Sequence, residues 1–214
     1  MRYIELMQYA GYPVCAGSET SWVYNVKKNK NNLVWVDCEM TGLNPDVHSI
    51  LEIAVLVTDG RLRTIVEGPD LVICHSDAAL SVLEPWSLEH HTKSGLLDRV
   101  RSSDLTMAEA ERKILDFIRT YCEEGQSPLC GNSVSYDRRF LQKQMPGFNK
   151  FLSHPHIDVS TVKELVRHWY PAGYLAPEGK EEHRAMTDIR ESIAELKHYR
   201  KHVFIRPVSK NIYE

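Results

Sequence analysis

Three short stretches of this 214-residue chain carry side chains whose types and spacing could do chemistry. The first is Asp37-Cys38-Glu39. On a strand, side chains two apart point to the same side, so both carboxylates would face one way. Two like charges that close are costly unless one is protonated or a cation sits between them. Paired carboxylate oxygens suit a hard divalent ion such as Mg²⁺, with water and a substrate phosphate completing its octahedron. A solvated acid pair at a strand end would read the same way, and a DxE alone is a weak signal. The second stretch runs from Asn132 to Asp137 in a strand–loop–helix setting, where an Asp is commonly only a helix cap, worth about 1 kcal/mol. The third is His183-Arg-Ala-Met-Thr-Asp188. Five positions apart on one helix, these two side chains would lie on different faces. They converge only if His183 sits in the loop before the first turn while Asp188 projects from the helix itself. Gly179–Glu182 reads as such a loop; the plain alternative is a surface His beside a salt-bridging Asp. An unperturbed imidazole is suited to take a proton from water near neutral pH.

The elements that must position these residues follow from hydrophobic pattern and turn chemistry. Leu33-Val34-Trp35-Val36 reads as a short buried strand leading into Asp37. Ile50–Thr58 is a second strand and Thr64–Ile73 a third. Thr106 and Glu109 have capping-box spacing and open a helix with apolar residues at Ile114, Phe117, Ile118 and Tyr121, stopping near Gly125. Leu129-Cys130-Gly131 reads as a buried strand, Arg138–Lys143 as a helix ended by Pro146-Gly147, and Ile157-Asp158-Val159 as another strand. A helix through Lys163–Trp169 follows, and the last runs from about Ala185 to Tyr199, with a stripe at Ala185, Ile189, Ile193 and Leu196. Three strands, then helices alternating with short strands, predict a mixed α/β sheet. Residues 1–31 read as an N-terminal extension or appendage ending in the polar run Lys27–Asn32, in which Trp22, Tyr24 and Val26 could add a strand. Residues 32–204 read as one domain and 205–214 as a tail.

Length allows one α/β domain with a substantial core. Apolar residues make up 43% and charged residues 26%, ordinary globular usage. No apolar run is long enough to span a bilayer and no export or organelle signal is evident, so the expectation is a soluble cytoplasmic protein, or a mitochondrial one in a eukaryote. Five cysteines with no CxxC pair argue against a disulfide framework or a structural zinc site. Glu89-His90-His91 invites a zinc reading, but no third and fourth ligand stands at usable spacing. The net charge of −3 disfavours a surface built to grip long nucleic acid through many phosphates. It fits a short substrate held locally, with metal ions supplying positive charge.

Each acidic motif alone is ambiguous, but neither DxE nor HxxxxD occurs elsewhere in the chain. DxE at the first strand, N-x(3)-[YF]-D before a helix and HxxxxD opening the last helix together resemble the DEDD exonuclease superfamily, His subtype. The resemblance narrows to the oligoribonuclease family. It is carried by Val36–Leu43, Glu84–Gly95, Gly131–Ser133, Asp137–Leu141, Asp158–Leu165 and Asp188–Ile193, and spans roughly Asn32 to Tyr199. It implies an RNase H-like fold, a homodimer and 3′→5′ hydrolysis of very short single-stranded RNA, 5′-phosphorylated dinucleotides included. It also implies two divalent ions, Mg²⁺ or Mn²⁺, held by Asp37, Glu39, Asp137 and Asp188, with His183 as general base. By the same resemblance Leu43 wedges between two bases, Trp86 packs on the 3′ side, and His91 touches substrate from the loop around residue 90. On bare sequence Leu43 and Trp86 would simply be core. Ser133, Ser160 and Thr161 match positions that hold a substrate 5′-phosphate.

The chain departs from the family pattern at His154-Pro155-His156. His154 stands where a Tyr is expected and Pro155 where an Arg is expected, which removes a charged fork for phosphate. A protonated His154 or His156 would take over part of that role and tighten binding at mildly acid pH. Thr187 replaces an acidic residue usual just before Asp188. Two rivals share much of this pattern: an exonuclease of the same superfamily acting on longer DNA or RNA, and a non-catalytic nucleic-acid-binding module.

Overall fold

The computed structural model describes residues 27–177, Gly179 and residues 184–205. The expected strand at Trp22–Val26, the expected base His183 and the tail beyond Ile205 lie outside the described residues. Among the described residues the sheet has five strands: β1 (Leu33–Met40), β2 (Ile50–Thr58), β3 (Ile65–Val72), β4 (Leu129–Gly131) and β5 (His156–Asp158). Their spatial order is β3-β2-β1-β4-β5. The β1–β2 and β2–β3 pairs are antiparallel, whereas β4 and β5 add in parallel. This is the mixed α/β architecture expected, with helices on both faces.

Period-two alternation divides β1 between two cores. Val34, Val36 and Cys38 face one cluster with Ile53, Val55 and Val57, covered by helices α4 (Met107–Tyr121), α5 (Ser135–Gln144) and α6 (Pro146–Phe151). Trp35 faces the other with Ala54 and Leu56, covered by α7 (Val159–Trp169) and α8 (Ala185–His202). Asp37 and Glu39 continue the Trp35 side, so the strand aims both acids toward the layer that contains α8. The α8 stripe is as read from sequence: Ala185, Ile189 and Ile193 are buried and Leu196 packs against them. The capping box of α4 is formed, with Glu109 N donating to Thr106 Oγ1 at 3.3 Å and Thr106 N to Glu109 Oε2 at 2.9 Å.

Several boundaries differ from the sequence reading. β1 does not stop before Asp37: its ladder with β2 continues to Met40, with an irregularity between Glu39 and Met40, so both acids stand on the strand. α5 begins three residues earlier than expected and carries Asp137 in its first turn. α5 ends at Gln144, just before Pro146 as expected, but Pro146 also starts α6, as its fixed φ permits at a first helical position. α7 likewise starts at Val159, putting Ser160 and Thr161 in its first turn. Among the described residues three α-helices are not expected from the sequence, α1 (Asp77–Leu80), α2 (Pro85–Lys93) and α3 (Leu96–Ser102), and neither is a 3-10 turn at Ala172–Tyr174. In α2 only Ser87 and His91 are buried, so it has no apolar stripe to read. No described helix is long and apolar enough to cross a membrane.

Candidate active site

Ligand oxygens of Asp37, Glu39 and Asp188 lie within 4.8 Å of one another. Two of these acids come from β1 by strand alternation. The third comes from the first turn of α8, whose amides there favour a negative charge. Asp137 is not among the three acids within 4.8 Å of one another; it stands in the first turn of α5, which packs on the other side of β1. The β1–β4 ladder ends at Trp35–Cys130, beyond which the Cys38 amide turns to a side chain. That amide donates to Asp137 Oδ1 at 3.0 Å. β4 approaches β1 so closely that a Cβ on Gly131 would fall 2.7 Å from the Val36 carbonyl oxygen, which leaves glycine the residue that fits there.

Carboxylates crowded and buried in this way are costly to ionise together unless a cation lies among them. Burial, then the charges of Asp137, Glu39 and Asp188, hold Asp37 well above the usual carboxylate range. Burial, followed by Asp188 and Glu52, pushes Glu39 up to about 8. Burial raises Asp137 to about 7 against the hydrogen bonds that favour its charge. All-oxygen donors crowded this closely match the ligand preference of Mg²⁺ or Mn²⁺ and not that of a soft metal. The donor set therefore fits a divalent ion.

The residues expected around the centre are placed unequally. Leu43 is 53% exposed and Trp86 is 54% exposed, so neither is core. Trp86 stacks on His90 with ring centroids 3.9 Å apart and planes 19° from parallel. The loop after β1 is tied to the start of α2: Glu84 N donates to the Thr41 carbonyl at 2.8 Å, and His48 lies 3.2 Å from Thr41 Oγ1 and 3.1 Å from Glu84 Oε1. A Cβ on Gly42 would fall 2.6 Å from His48 Nε2, so that tie requires glycine between Thr41 and Leu43. His91 is a correction. It stands on α2, not on a loop, and is 1% exposed, with Nε2 2.9 Å from the Met40 carbonyl and Nδ1 3.8 Å from Glu39 Oε2. Its ring backs Glu39 from inside the protein and does not reach out from a loop.

Ser133 and Ser160 come together although 27 residues apart, Ser133 Oγ lying 3.3 Å from Ser160 Oγ. Ser133 has a left-handed backbone (φ 49°), which serine seldom adopts and which accumulates at ligand sites. Both Ser133 N and Ser160 N donate to Asp158 Oδ1 at 3.0 Å. Thr161 is exposed on the same turn of α7. His154 is exposed in the loop before β5 and, among the described residues, has no hydrogen-bond or ion-pair partner. The reading of motifs missed Glu52, a fully buried carboxylate opposite Glu39 in the β1–β2 register. The available signal was a lone acid inside the otherwise apolar run Ile50–Val57.

Residues 34–196 match the exonuclease family RNase_T. The chain is 47% identical over 178 residues to the oligoribonuclease of Dichelobacter nodosus, an alignment covering 83% of this chain and 98% of the relative. It is 50% identical over 174 residues to the oligoribonuclease of Shewanella frigidimarina, covering 81% and 96%. Its fold is similar to that of exonuclease I from Methylocaldum szegediense, with a TM-score of 0.62 at 19% identity, covering 80% of this chain. The chain spans only 41% of that larger protein, and the likeness concerns the fold alone. On the strength of its close relatives and of the exonuclease match across most of its length, this chain belongs to the oligoribonuclease family.

Proposed function

We propose that this chain removes nucleoside 5′-monophosphates from the 3′ end of very short RNA, two to about five nucleotides long, with two divalent ions held by Asp37, Glu39, Asp137 and Asp188. It is a phosphodiester hydrolase, a 3′→5′ exoribonuclease acting on short RNA. The observation that carries the site is the convergence of Asp37, Glu39 and Asp188 within 4.8 Å. Mg²⁺ or Mn²⁺, when bound, supplies positive charge against the scissile phosphate and acidity to the attacking water. The acids hold that charge in place, and His183 takes the proton as water oxygen bonds to phosphorus and the bond from phosphorus to the 3′-oxygen breaks. A proton then returns to the 3′-oxygen that leaves.

Leu43 and Trp86 present exposed apolar surface to the bases; their exposure supports this, since buried side chains could not stack on a substrate. Ser133, Ser160 and Thr161 take the 5′-phosphate, and a phosphate held there stops a longer chain from threading past. The domain spans residues 32–204, consistent with the matched range 34–196, with 1–31 as an appendage and 205–214 as a tail. Family resemblance supports a homodimer in the cytoplasm, or in the mitochondrion of a eukaryote. The exposed pair Leu165 and Trp169 on α7 offers apolar surface for a second copy. His154-Pro155 in place of a Tyr-Arg pair favours one competing reading, action on longer single strands. A length series of labelled RNAs from two to ten nucleotides, digested with Mg²⁺, separates the two: rates concentrated on the shortest substrates support the proposal, and equal or faster hydrolysis of the ten-mer refutes it.

A further inference from the structure

β2 contains one ionisable side chain, Glu52, in a strand that is otherwise apolar except for its last residue and is buried throughout. Glu52 is 0% exposed. A buried carboxylate is costly unless it is paired and hydrogen-bonded. Two arginines do this. Arg99 Nη1, from α3, donates to Oε1 at 2.8 Å. Arg184 makes a fork, its Nε donating to Oε2 at 3.2 Å and its Nη2 to Oε1 at 3.0 Å. Arg184 is also the N-cap residue of α8, and its carbonyl accepts from the amides of Thr187 and Asp188 at 2.9 and 3.0 Å. One residue thus has its side chain fixed to β2 and its backbone bonded to the residue that brings the α8 carboxylate. A packed apolar pair could anchor the helix at less electrostatic cost. It would not fix direction as a planar guanidinium on a carboxylate does.

We propose that Glu52 and Arg184 are positioning residues for the acidic centre. Their fork sets the first turn of α8 against β2 and so keeps Asp188 within cation-sharing distance of Asp37 and Glu39. The inference rests on the reading that these acids hold divalent ions. Its sign separates it from plain electrostatics. Arg184 puts positive charge beside Glu39, so its neutralisation would tighten cation binding if charge alone mattered, whereas lost positioning weakens it.

The test is Mn²⁺ binding to the substrate-free full chain, followed by calorimetry or electron paramagnetic resonance, together with kcat on a 5′-phosphorylated dinucleotide. Arg184→Gln is expected to weaken Mn²⁺ binding about tenfold and lower kcat roughly 10–100-fold, the scale of an ångström of misplacement. Arg184→Lys keeps the charge but loses the fork, and is expected to weaken binding at least threefold. Glu52→Gln should act in the same direction, and if it fails to fold, the two Arg184 variants decide, that side chain being 31% exposed. Arg99→Gln is expected to lower the melting temperature while leaving Mn²⁺ affinity within threefold. Binding in Arg184→Gln that is tighter, or weakened less than threefold, overturns the proposal. Asp37→Asn in parallel separates the levels. Its loss of Mn²⁺ binding with none in Arg184→Gln overturns the positioning role alone. Unchanged binding in Asp37→Asn overturns the metal reading and this inference with it.

Discussion

Neutralising Asp37 should stabilise the metal-free protein while destroying its activity. With ligand oxygens of Asp37, Glu39 and Asp188 inside 4.8 Å, each fully ionised pair repels by about 3 kcal/mol at an effective dielectric of 20. Burial, with repulsion from Asp188 and Glu52, holds Glu39 at about 8, and burial, with repulsion from Asp158, holds Asp137 at about 7, so at pH 8 part of the repulsion in the cluster is already relieved by bound protons. Burial and its neighbours hold Asp37 up as well, so only its ionised fraction contributes; Asp37→Asn is expected to raise the melting temperature by a few degrees at high pH, each 1 kcal/mol being about 2–4 °C for a chain of this size. The sign with pH follows from linkage. Carboxylates whose folded pKa is raised bind more protons folded than unfolded, so their favourable contribution is complete at low pH and is lost as pH rises through about 7 and about 8. The wild-type melting temperature in EDTA should therefore fall between pH 6 and pH 9, and Asp37→Asn should flatten that fall. Mn²⁺ should restore the wild type at high pH and do much less for the variant. Differential scanning fluorimetry across pH 5.5–9, with EDTA or with Mn²⁺, measures all of this. A wild-type melting temperature that is flat or rises over pH 6–9 in EDTA would refute the reasoning, as would an Asp37→Asn chain less stable than wild type at pH 8.5.

Replacement of His183 by Ala should lower kcat by about 10²–10⁴, the usual worth of a positioned general base, with Mn²⁺ affinity and KM nearly unchanged; comparable activity in that variant at pH 8 removes the base assignment. Trp86→Ala should raise KM for a dinucleotide about 5- to 150-fold, equivalent to about 1–3 kcal/mol of base stacking, while kcat changes little. An unchanged KM there would mean that the exposed indole stacks on His90 alone.

Much of the fold could be read because its signals are local. The bounds of β2 are those expected from its apolar run, and the capping box at Thr106 and Glu109 opens α4 where the spacing puts it. The α8 stripe buries Ala185, Ile189 and Ile193 and packs Leu196 against them, as its period selects. α2 escaped because its buried face is made of Ser87 and His91, and hydrophobic periodicity has nothing to register there. His91 was expected on a loop from the family resemblance, and its contact with the Met40 carbonyl crosses 51 residues of sequence.

The sequence by itself determined that Asp37 and Glu39 share one side of a strand, because side-chain direction along a strand is a property of neighbouring residues. It also bounded the kind of chemistry, since carboxylates of this spacing have few stable companions other than protons and hard cations. Only the tertiary structure decided that Asp188 completes the group, that Asp137 is held by the Cys38 amide 99 residues away, and that Glu52 fixes Arg184 across 132 residues. Those relations depend on how a helix sits on a sheet, and that is set by packing and register over the whole core, which no local pattern encodes.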